Sequence, residues 1–210
     1  MSLHARRSAP DILTIGHSTH PWDRFIALLR GAEVTAVADV RSAPYSRRAP
    51  QFSREVLTSR LREAGIAYVY LGQDLGGRPA DKTLFCDGVV DYERVAATPG
   101  FAAGLDRVIA GSGRHRIALM CAERDPLDCH RCLLVGRRLR ERGVTVGHIL
   151  SDGTIQPHSE IEARLLAIAN ADADDMFESH AERLARAYRA YGRKAAYEAP
   201  ARDPDAPGIS

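Results

Sequence analysis

Residues 121–131 bring two thiols, an imidazole, three carboxylates and two guanidiniums into one short segment of the chain. Cys121 is predicted to end a strand. Cys129 is predicted to lie near a helix start, where unpaired backbone N–H groups and the helix dipole lower the pKa of a thiol. Glu123 suits an acid, base or orienting role, and His130 suits the same roles nearer neutral pH. The segment therefore predicts thiolate chemistry.

Other interpretations of these cysteines are open from the sequence. A strand-end cysteine such as Cys121 is often a small buried apolar side chain. Cys129 and Cys132 have Cys-x-x-Cys spacing, which on a helix places both sulfurs on one face as a redox pair or as two metal ligands. A zinc or iron site would add to this pair the thiol of Cys121 and an imidazole, from His17 or His130.

The composition limits the class of protein. The 210 residues are 45% hydrophobic and 27% charged, which suits one globular domain with a core and excludes a fibrous or fully disordered protein. A net charge of +2 argues against a strongly basic nucleic-acid coat protein. The sequence contains no apolar run of membrane-spanning length and no secretory signal, so we expect a cytoplasmic protein without membrane contact.

The elements that position the reactive residues alternate between strands and helices. Short apolar runs predict strands at 12–16, 34–40, 66–71, 116–121 and 144–150. Helical spacing predicts helices that end at Gly31 and Gly65, and further helices at 91–97, 100–110, 127–142 and 158–168. This alternation predicts an α/β fold with an open, mainly parallel sheet and helices on both faces.

The chain is expected to form one body, residues 11–170, after a disordered tail at 1–10. Residues 171–210 are predicted to form a helical extension and a disordered tail. One helix face of the extension is predicted to carry Leu184, Tyr188, Tyr191 and Ala195. Such a stripe packs on the body or joins two copies in a homo-oligomer. The arginines and tyrosines nearby suit a nucleic-acid contact, which the acidic residues just upstream weaken.

Ligands of an open parallel sheet bind at the carboxyl ends of its strands. His17 and Ser18 follow the first predicted strand, and Asp39 and Arg41 lie at the end of the second. We therefore expect them to share one edge with Cys121, where His17 can handle protons. We also expect Asp39 and Arg41 to point to opposite faces and not to touch.

The loop at 41–48 combines arginines, serines and an aromatic ring, which suits a phosphate or a nucleotide. A second loop, at 76–78, adds flexible backbone and another guanidinium but matches no Walker or dinucleotide motif. We expect a small anionic, nucleotide-like ligand, held by Ser18, Asp39, Arg41, Ser46, Arg47, Gly76, Gly77, Arg78 and Arg131.

Several short motifs together resemble the DUF488 family. They are Thr14-Ile15-Gly16-His17-Ser18, Asp39-Val40-Arg41 with Pro44, Ser46, Arg47 and Phe52, Leu75-Gly76-Gly77, and Cys121-x-Glu123 with Cys129-His130-Arg131. The resemblance runs from about residue 12 to 155 and implies a bacterial α/β protein without an assigned biochemical function. Cys86, Cys132 and the extension beyond residue 170 lie outside the pattern.

The sequence thus favours a small cytoplasmic enzyme that uses Cys121 or Cys129 as a thiolate. In this hypothesis Glu123 and either His17 or His130 move protons at the sheet edge. One alternative is a non-catalytic module that binds a nucleotide or nucleic acid. The other is a zinc or iron protein built on the cysteines and histidines.

Overall fold

A computed structural model describes residues 10–169 and 178–199 of the chain. The predicted disordered ends, 1–10 and 199–210, lie outside the described residues except for Pro10 and Ala199. Among the described residues, no helix has both the length and the apolar character needed to cross a membrane.

Strands form a six-stranded sheet at the centre of the fold, in the order β3-β2-β6-β1-β7-β8. Neighbouring strands run parallel except at the β7–β8 edge, where the pairing is antiparallel. The strands are β1 (Ile12–Gly16), β2 (Ala36–Asp39), β3 (Ala67–Tyr70), β6 (Ile117–Cys121), β7 (Val146–Ile149) and β8 (Ile155–Pro157), while β4 (Phe85–Cys86) and β5 (Val89–Val90) form a separate hairpin. The mainly parallel sheet predicted from the sequence is confirmed.

Helices cover both faces of the sheet because alternate strand residues point to opposite sides. Leu13 and Ile15 of β1 pack with α1 and α2, whereas Ile12 packs with α5 on the other face. The helices are α1 (Trp22–Gly31), α2 (Arg54–Glu63), α3 (Gly72–Leu75), α4 (Tyr92–Ala96), α5 (Pro99–Ser112), α6 (Arg137–Glu141), α7 (His158–Ala169) and α8 (His180–Ala195).

The helix predicted over 127–142 is divided into three pieces. A 3-10 turn covers Pro126–Asp128, a π-helical segment covers Arg131–Gly136, and α6 continues from it. Cys129 lies between the first two pieces with an extended backbone, φ −142° and ψ 137°. The Asp125 side chain accepts the Leu127 N–H and Pro126 occupies the next position, so the turn closes before the helix begins.

The C-terminal helix α8 packs on the body of the protein. Its predicted apolar stripe contacts α7 and the π-helical segment, with Tyr188 at the centre of that cluster. Beyond α8 the chain adds to the β4–β5 hairpin. Val90 N–H donates to the Tyr197 carbonyl at 3.0 Å, and Ala199 N–H donates to the Gly88 carbonyl at 2.9 Å. The described C-terminal segment is thereby fixed against residues 88–90.

Candidate functional site

The carboxyl ends of three adjacent strands form the edge where the predicted site residues lie. In the parallel register, Gly16 of β1 is opposite Cys121 of β6, and Asp39 of β2 is opposite Met120. The chain leaves each strand at the same edge, so the residues that follow it are brought together there.

Four of the predicted catalytic residues form one buried group, which we call the thiol cluster: Cys121, Glu123, Cys129 and His130. Both sulfurs lie within hydrogen-bond distance of the same carboxyl oxygen, Glu123 Oε2, which is 3.0 Å from Cys121 Sγ and 2.9 Å from Cys129 Sγ. His130 Nδ1 lies 3.6 Å from Cys121 Sγ and 3.9 Å from Cys129 Sγ. The cluster therefore holds two sulfurs, a carboxylate and an imidazole within contact distance.

A backbone carbonyl orients the imidazole of His130. Its Nε2 lies 2.9 Å from the Val40 carbonyl oxygen, which can only accept a hydrogen bond. Nε2 therefore carries a proton, and Nδ1 is the nitrogen that exchanges protons with the sulfurs. In this orientation His130 can give a proton to, or take one from, either thiol.

Arg131 places a positive charge directly behind the thiol cluster. Its side chain is completely buried, and its guanidinium donates to the carbonyl oxygens of Glu123 and Arg124, at 2.6 and 3.0 Å. The structure gives it no carboxylate partner among residues 10–169 and 178–199. A buried cation is costly unless an anion compensates it, and a Cys129 thiolate is placed to do so.

The two thiols have opposite acidities because they share one negative charge. Burial alone would raise the pKa of Cys129, but the hydrogen bond from Cys121 and the charge of Arg131 outweigh it and hold that pKa well below its usual value. The Arg131 backbone N–H also donates to Cys129 Sγ at 3.4 Å. Burial, and then the neighbouring Cys129, raise the pKa of Cys121 well above its usual value. These opposite shifts favour a thiolate on Cys129 over one on Cys121.

The acid and base groups beside the sulfurs also have shifted pKa values. Burial and the negative charge of Cys129 raise the pKa of Glu123. Burial would lower the pKa of His130, but its hydrogen bond to Cys129 and the charge of that thiolate raise it instead. Both groups can therefore hold a proton closer to neutral pH than they would in water.

Two glycines let the backbone approach the cluster closely. A Cβ at Gly16 would lie 1.8 Å from the Glu123 carbonyl oxygen, and one at Gly77 would lie 2.8 Å from the His130 ring. Any larger residue at either position would displace the loop that carries the cluster.

A cleft of about 460 Å³ opens beside the thiol cluster. Cys121 and His130 form part of its wall, whereas Cys129 and Glu123 lie behind them. The remaining lining residues come from the other strand-end loops, from Tyr92 and from the C-terminal segment: His17, Arg41, Ser42, Ala43, Tyr45, Ser46, Gly77, Arg78, Ala122, Ala195, Ala196, Tyr197 and Glu198. Of the two cysteines of the thiol cluster, only Cys121 is among the lining residues of this cleft.

Asp39 and Arg41 form a buried ion pair, so the expectation that they do not touch is wrong. Arg41 Nη2 lies 2.6 Å from Asp39 Oδ2, and Arg41 Nε donates to Asp39 Oδ1 at 2.9 Å. Successive side chains in an extended chain point to opposite sides, so residues two apart, such as Asp39 and Arg41, point to the same side. Tyr68 also donates to Asp39, at 2.9 Å.

His17 lines the cleft, but both of its ring nitrogens are occupied. Nε2 accepts from Arg41 Nη1 at 3.0 Å, and Nδ1 donates to the Ser18 carbonyl at 2.8 Å. Burial, followed by the charge of Arg41, lowers the pKa of His17 to about 4. The ring also stacks on Phe52, with centroids 4.4 Å apart. His17 is therefore a neutral side chain that positions Arg41.

The other predicted binding residues divide between the cleft and its surroundings. Ser46 and Arg78 line the cleft together with Gly77, while Arg47 is exposed outside that lining. The remaining residues predicted to bind substrate are absent from the lining: Ser18, Asp39, Gly76 and Arg131.

Cys132 belongs to a different group of residues. Its Sγ lies 4.0 Å from His158 Nδ1, and the metal-ligating atoms near it come from His148 and His158. The nearby metal-ligating atoms of the thiol cluster come from Cys121, Cys129 and His130. The metal-ligand set predicted from Cys-x-x-Cys spacing together with His17 is not assembled, since Cys129 precedes the helix and Cys132 lies within it.

The second group forms a buried row that we call the histidine chain: Thr14, His148, His158, Tyr188 and Glu162. Thr14 Oγ1 lies 2.8 Å from His148 Nδ1, and His148 Nε2 lies 2.9 Å from His158 Nδ1. His158 Nε2 lies 2.8 Å from the Tyr188 hydroxyl, which donates to Glu162 Oε1 at 3.1 Å. The chain links β1 and β7 to α7 and α8.

Sequence reasoning missed three contributors to the site. Tyr92 lines the cleft, and burial and the negative charges of Cys129 and Cys121 raise its pKa. Tyr197 and Glu198 arrive from the C-terminal segment. No signal in the strand-end pattern could identify these residues, because α4 and the C-terminal segment reach the cleft through tertiary packing.

The fold and the site define an α/β protein that has a buried thiol cluster at the carboxyl ends of the parallel strands of its sheet. The chain belongs to the family described as Domain of unknown function DUF488, which matches residues 21–137. This confirms the resemblance over three of the six strands of the sheet, β2, β3 and β6, and over the whole thiol cluster. Comparisons with curated proteins and with solved structures give no match.

Proposed function

We propose that this protein is a thiol-dependent enzyme that acts on a small anionic molecule in the cleft, with Cys121 as the nucleophile. The observation that carries the proposal is the sharing of Glu123 Oε2 by two thiols, one of which forms the cleft wall. A structural cysteine pair would not require a carboxylate, an imidazole and a buried guanidinium around it.

The thiolate reaches the cleft by a proton exchange inside the cluster. The proton of Cys121 moves to the Cys129 thiolate, which leaves Cys121 as the thiolate and Cys129 as the thiol. The exchange changes no net charge in the buried site, so it carries little desolvation cost. Arg131 stabilises either form because its positive charge stays in place.

The remaining groups complete a covalent reaction. Cys121 Sγ forms a bond to the electrophilic atom of the substrate while the bond from that atom to the leaving group breaks, and protonated His130 gives its Nδ1 proton to the leaving group. Water then attacks the same atom and gives a proton to ionised Glu123, and the bond to Cys121 Sγ breaks to release the thiolate. The proton passes from Glu123 to His130 within the cluster, which restores the starting state. This sequence conserves atoms and charge and needs no oxidant.

Alkylation kinetics test the proposal without a known substrate. The rate of iodoacetamide reaction is measured from pH 6 to 9 by peptide mapping, since trypsin places Cys121, Cys129 and Cys132 on separate peptides, 117–124, 125–131 and 132–137. We expect Cys121 to react at pH 6.5 about tenfold or more faster than half-buried Cys86, because the cluster holds a thiolate. Faster reaction of Cys86 at every pH would refute the proposal.

Arg131→Met sharpens this test. Loss of the buried charge raises the pKa of the thiol pair, so alkylation of Cys121 at pH 6.5 should fall about tenfold for each unit of pKa. The matched control is Arg114→Met, an exposed arginine at the opposite edge of the sheet. An unchanged rate in Arg131→Met would show that Arg131 does not support a thiolate.

A metal centre is the second candidate, and one observation favours it. The ligand atoms of Cys121, Cys129 and His130 lie within 4.8 Å of one another and are buried. Two thiolates and an imidazole suit zinc or iron. Near-stoichiometric metal in protein purified without added metal, lost in Cys129→Ser, would support this function and refute the nucleophile.

A further inference from the structure

The arginines near the cleft differ in how their guanidinium groups are used. That of Arg41 is saturated by Asp39, Phe52 and His17, and that of Arg131 is buried behind the thiol cluster. The guanidinium of Arg78 forms no hydrogen bond or ion pair among the contacts of the described residues. It lies over the Tyr197 ring, 4.7 Å from the centroid.

Arg78 is held beside the reactive groups by its own backbone. Its N–H donates to Ser42 Oγ at 2.8 Å, and the preceding Gly77 packs directly on the His130 ring. Arg78 and Cys121 both line the same cleft. A cation thus lines the same cleft as the predicted nucleophile, and it has no anionic partner among residues 10–169 and 178–199.

The C-terminal segment supplies the surface on which Arg78 lies. Tyr197 is fixed by the hydrogen bond from Val90 to its carbonyl, and Glu198 pairs with Val89 in a β-bridge. Arg193 at the end of α8 contacts Asp87 of the same hairpin at 2.9 Å. This segment lies outside residues 21–137, the region that matches the family.

We propose that Arg78, stacked on Tyr197, binds the single phosphate or carboxylate group of the substrate, and that the C-terminal segment is the specificity wall of the cleft. A guanidinium with free donors matches such an anion in a bidentate manner, and an aromatic ring preorganises it. Glu198 also lines the cleft, and its negative charge disfavours a second anionic group. The inference rests on the proposed function in that Cys121 is the reacting group.

The charge preference of Cys121 alkylation tests the role of Arg78. The rate with anionic iodoacetate is divided by the rate with neutral iodoacetamide, which cancels changes in thiol pKa. We expect Arg78→Gln to lower this ratio about tenfold, as the loss of one nearby charge predicts, and Arg78→Lys to retain most of it. Arg114→Gln is the control for net charge. An unchanged ratio in Arg78→Gln overturns the inference.

Two variants of Tyr197 test the specificity wall. Tyr197→Phe keeps the ring under the guanidinium and should preserve the ratio, whereas Tyr197→Ala should lower it about threefold or more. Equal ratios in the two variants would show that the ring does not position Arg78. Circular dichroism of each variant checks that the C-terminal helix is retained.

Inorganic phosphate binding separates this inference from the proposed function. Calorimetric titration of the wild type and Arg78→Gln needs no reactive thiol. If Cys121 resists both reagents while Arg78→Gln loses phosphate binding about tenfold, the proposed function fails and Arg78 remains the anion site. If the wild type binds no phosphate, or both proteins bind it equally, the inference about Arg78 fails.

Discussion

The thiol cluster and the histidine chain are both buried groups of titratable side chains, yet their hydrogen bonds are organised differently. In the thiol cluster, two sulfurs share one oxygen of Glu123 as a hydrogen-bond partner. In the histidine chain, each member from His148 to Tyr188 has one partner on each side. The cluster adjoins the cleft through Cys121 and His130, and no member of the chain lines that cleft.

The difference shows how the same residue types serve stability or chemistry. In a row where each donor meets one acceptor, every hydrogen bond stabilises the fold and every polar hydrogen has an acceptor. If Tyr188 donates to Glu162, the direction of every other bond follows, and Thr14 donates to His148. The thiol cluster has competing donors and a buried cation, so its protons can be redistributed at little cost.

Removal of a central link should destabilise the fold most. His148→Ala removes the partner of Thr14 Oγ1 and of His158 Nδ1 and opens a cavity in a fully buried site, which should lower the free energy of unfolding by about 2–4 kcal/mol. Urea denaturation measures the loss, with exposed His115→Ala as the control. The rates of Cys121 alkylation should remain unchanged, and a parallel fall in both quantities would remove the distinction between the two regions.

The histidine chain should also set part of the pH dependence of stability. Burial, followed by the charge of Arg140, lowers the pKa of His158 to about 4, so the unfolded chain binds its proton more readily than the folded protein. The contribution of His158 to the free energy of unfolding is fully present above about pH 6.5. It decreases as the pH falls towards 4, by at most about 1.4 kcal/mol per pH unit.

His158→Gln isolates this contribution from the acidic residues that titrate in the same range. Its unfolding free energy should depend less steeply on pH between 6.5 and 4 than that of the wild type, measured by urea denaturation at several pH values. Parallel curves for the two proteins would show that His158 is not neutral in the folded state.

Cys132→Ala should have the smallest effect on reactivity. Its thiol faces His158 and is buried, and burial raises its pKa. We expect alkylation of Cys121 and Cys129 to stay within about threefold of the wild type, as measured by peptide mapping. A larger change in either alkylation rate would indicate that Cys129 and Cys132 act as a functional pair.

The fold was predictable because each element is encoded locally. The β-branched run at Ile12–Gly16 and the apolar run at Ile117–Cys121 predict buried strands, and α5 follows from its helical spacing. The exception was the helix predicted over 127–142, where Pro126 and the Asp125 cap close a turn before the helix starts. Helical periodicity continues across such a break, so the sequence pattern cannot show it.

The site was only partly predictable for a related reason. Cys121, Glu123, Cys129 and His130 are near in sequence at a strand end, so their proximity follows from one loop. Whether Arg41 and His17 are free to act depends on contacts with Phe52, far from His17 in the chain. Such contacts arise only when α1 and α2 pack on the same face of the sheet.

Local residue patterns specify the alternation of strands and helices, and with it the edge of the sheet at which the reactive residues lie. Those properties depend on periodicity and on the parallel direction of the strands, which local residue patterns encode. Tertiary packing places Cys121 and not Cys129 in the cleft lining, pairs Arg41 but not Arg78 with a carboxylate among the described residues, and brings Tyr197 to the wall. These properties depend on burial and on long-range contacts, and neither is fixed until the whole chain has packed.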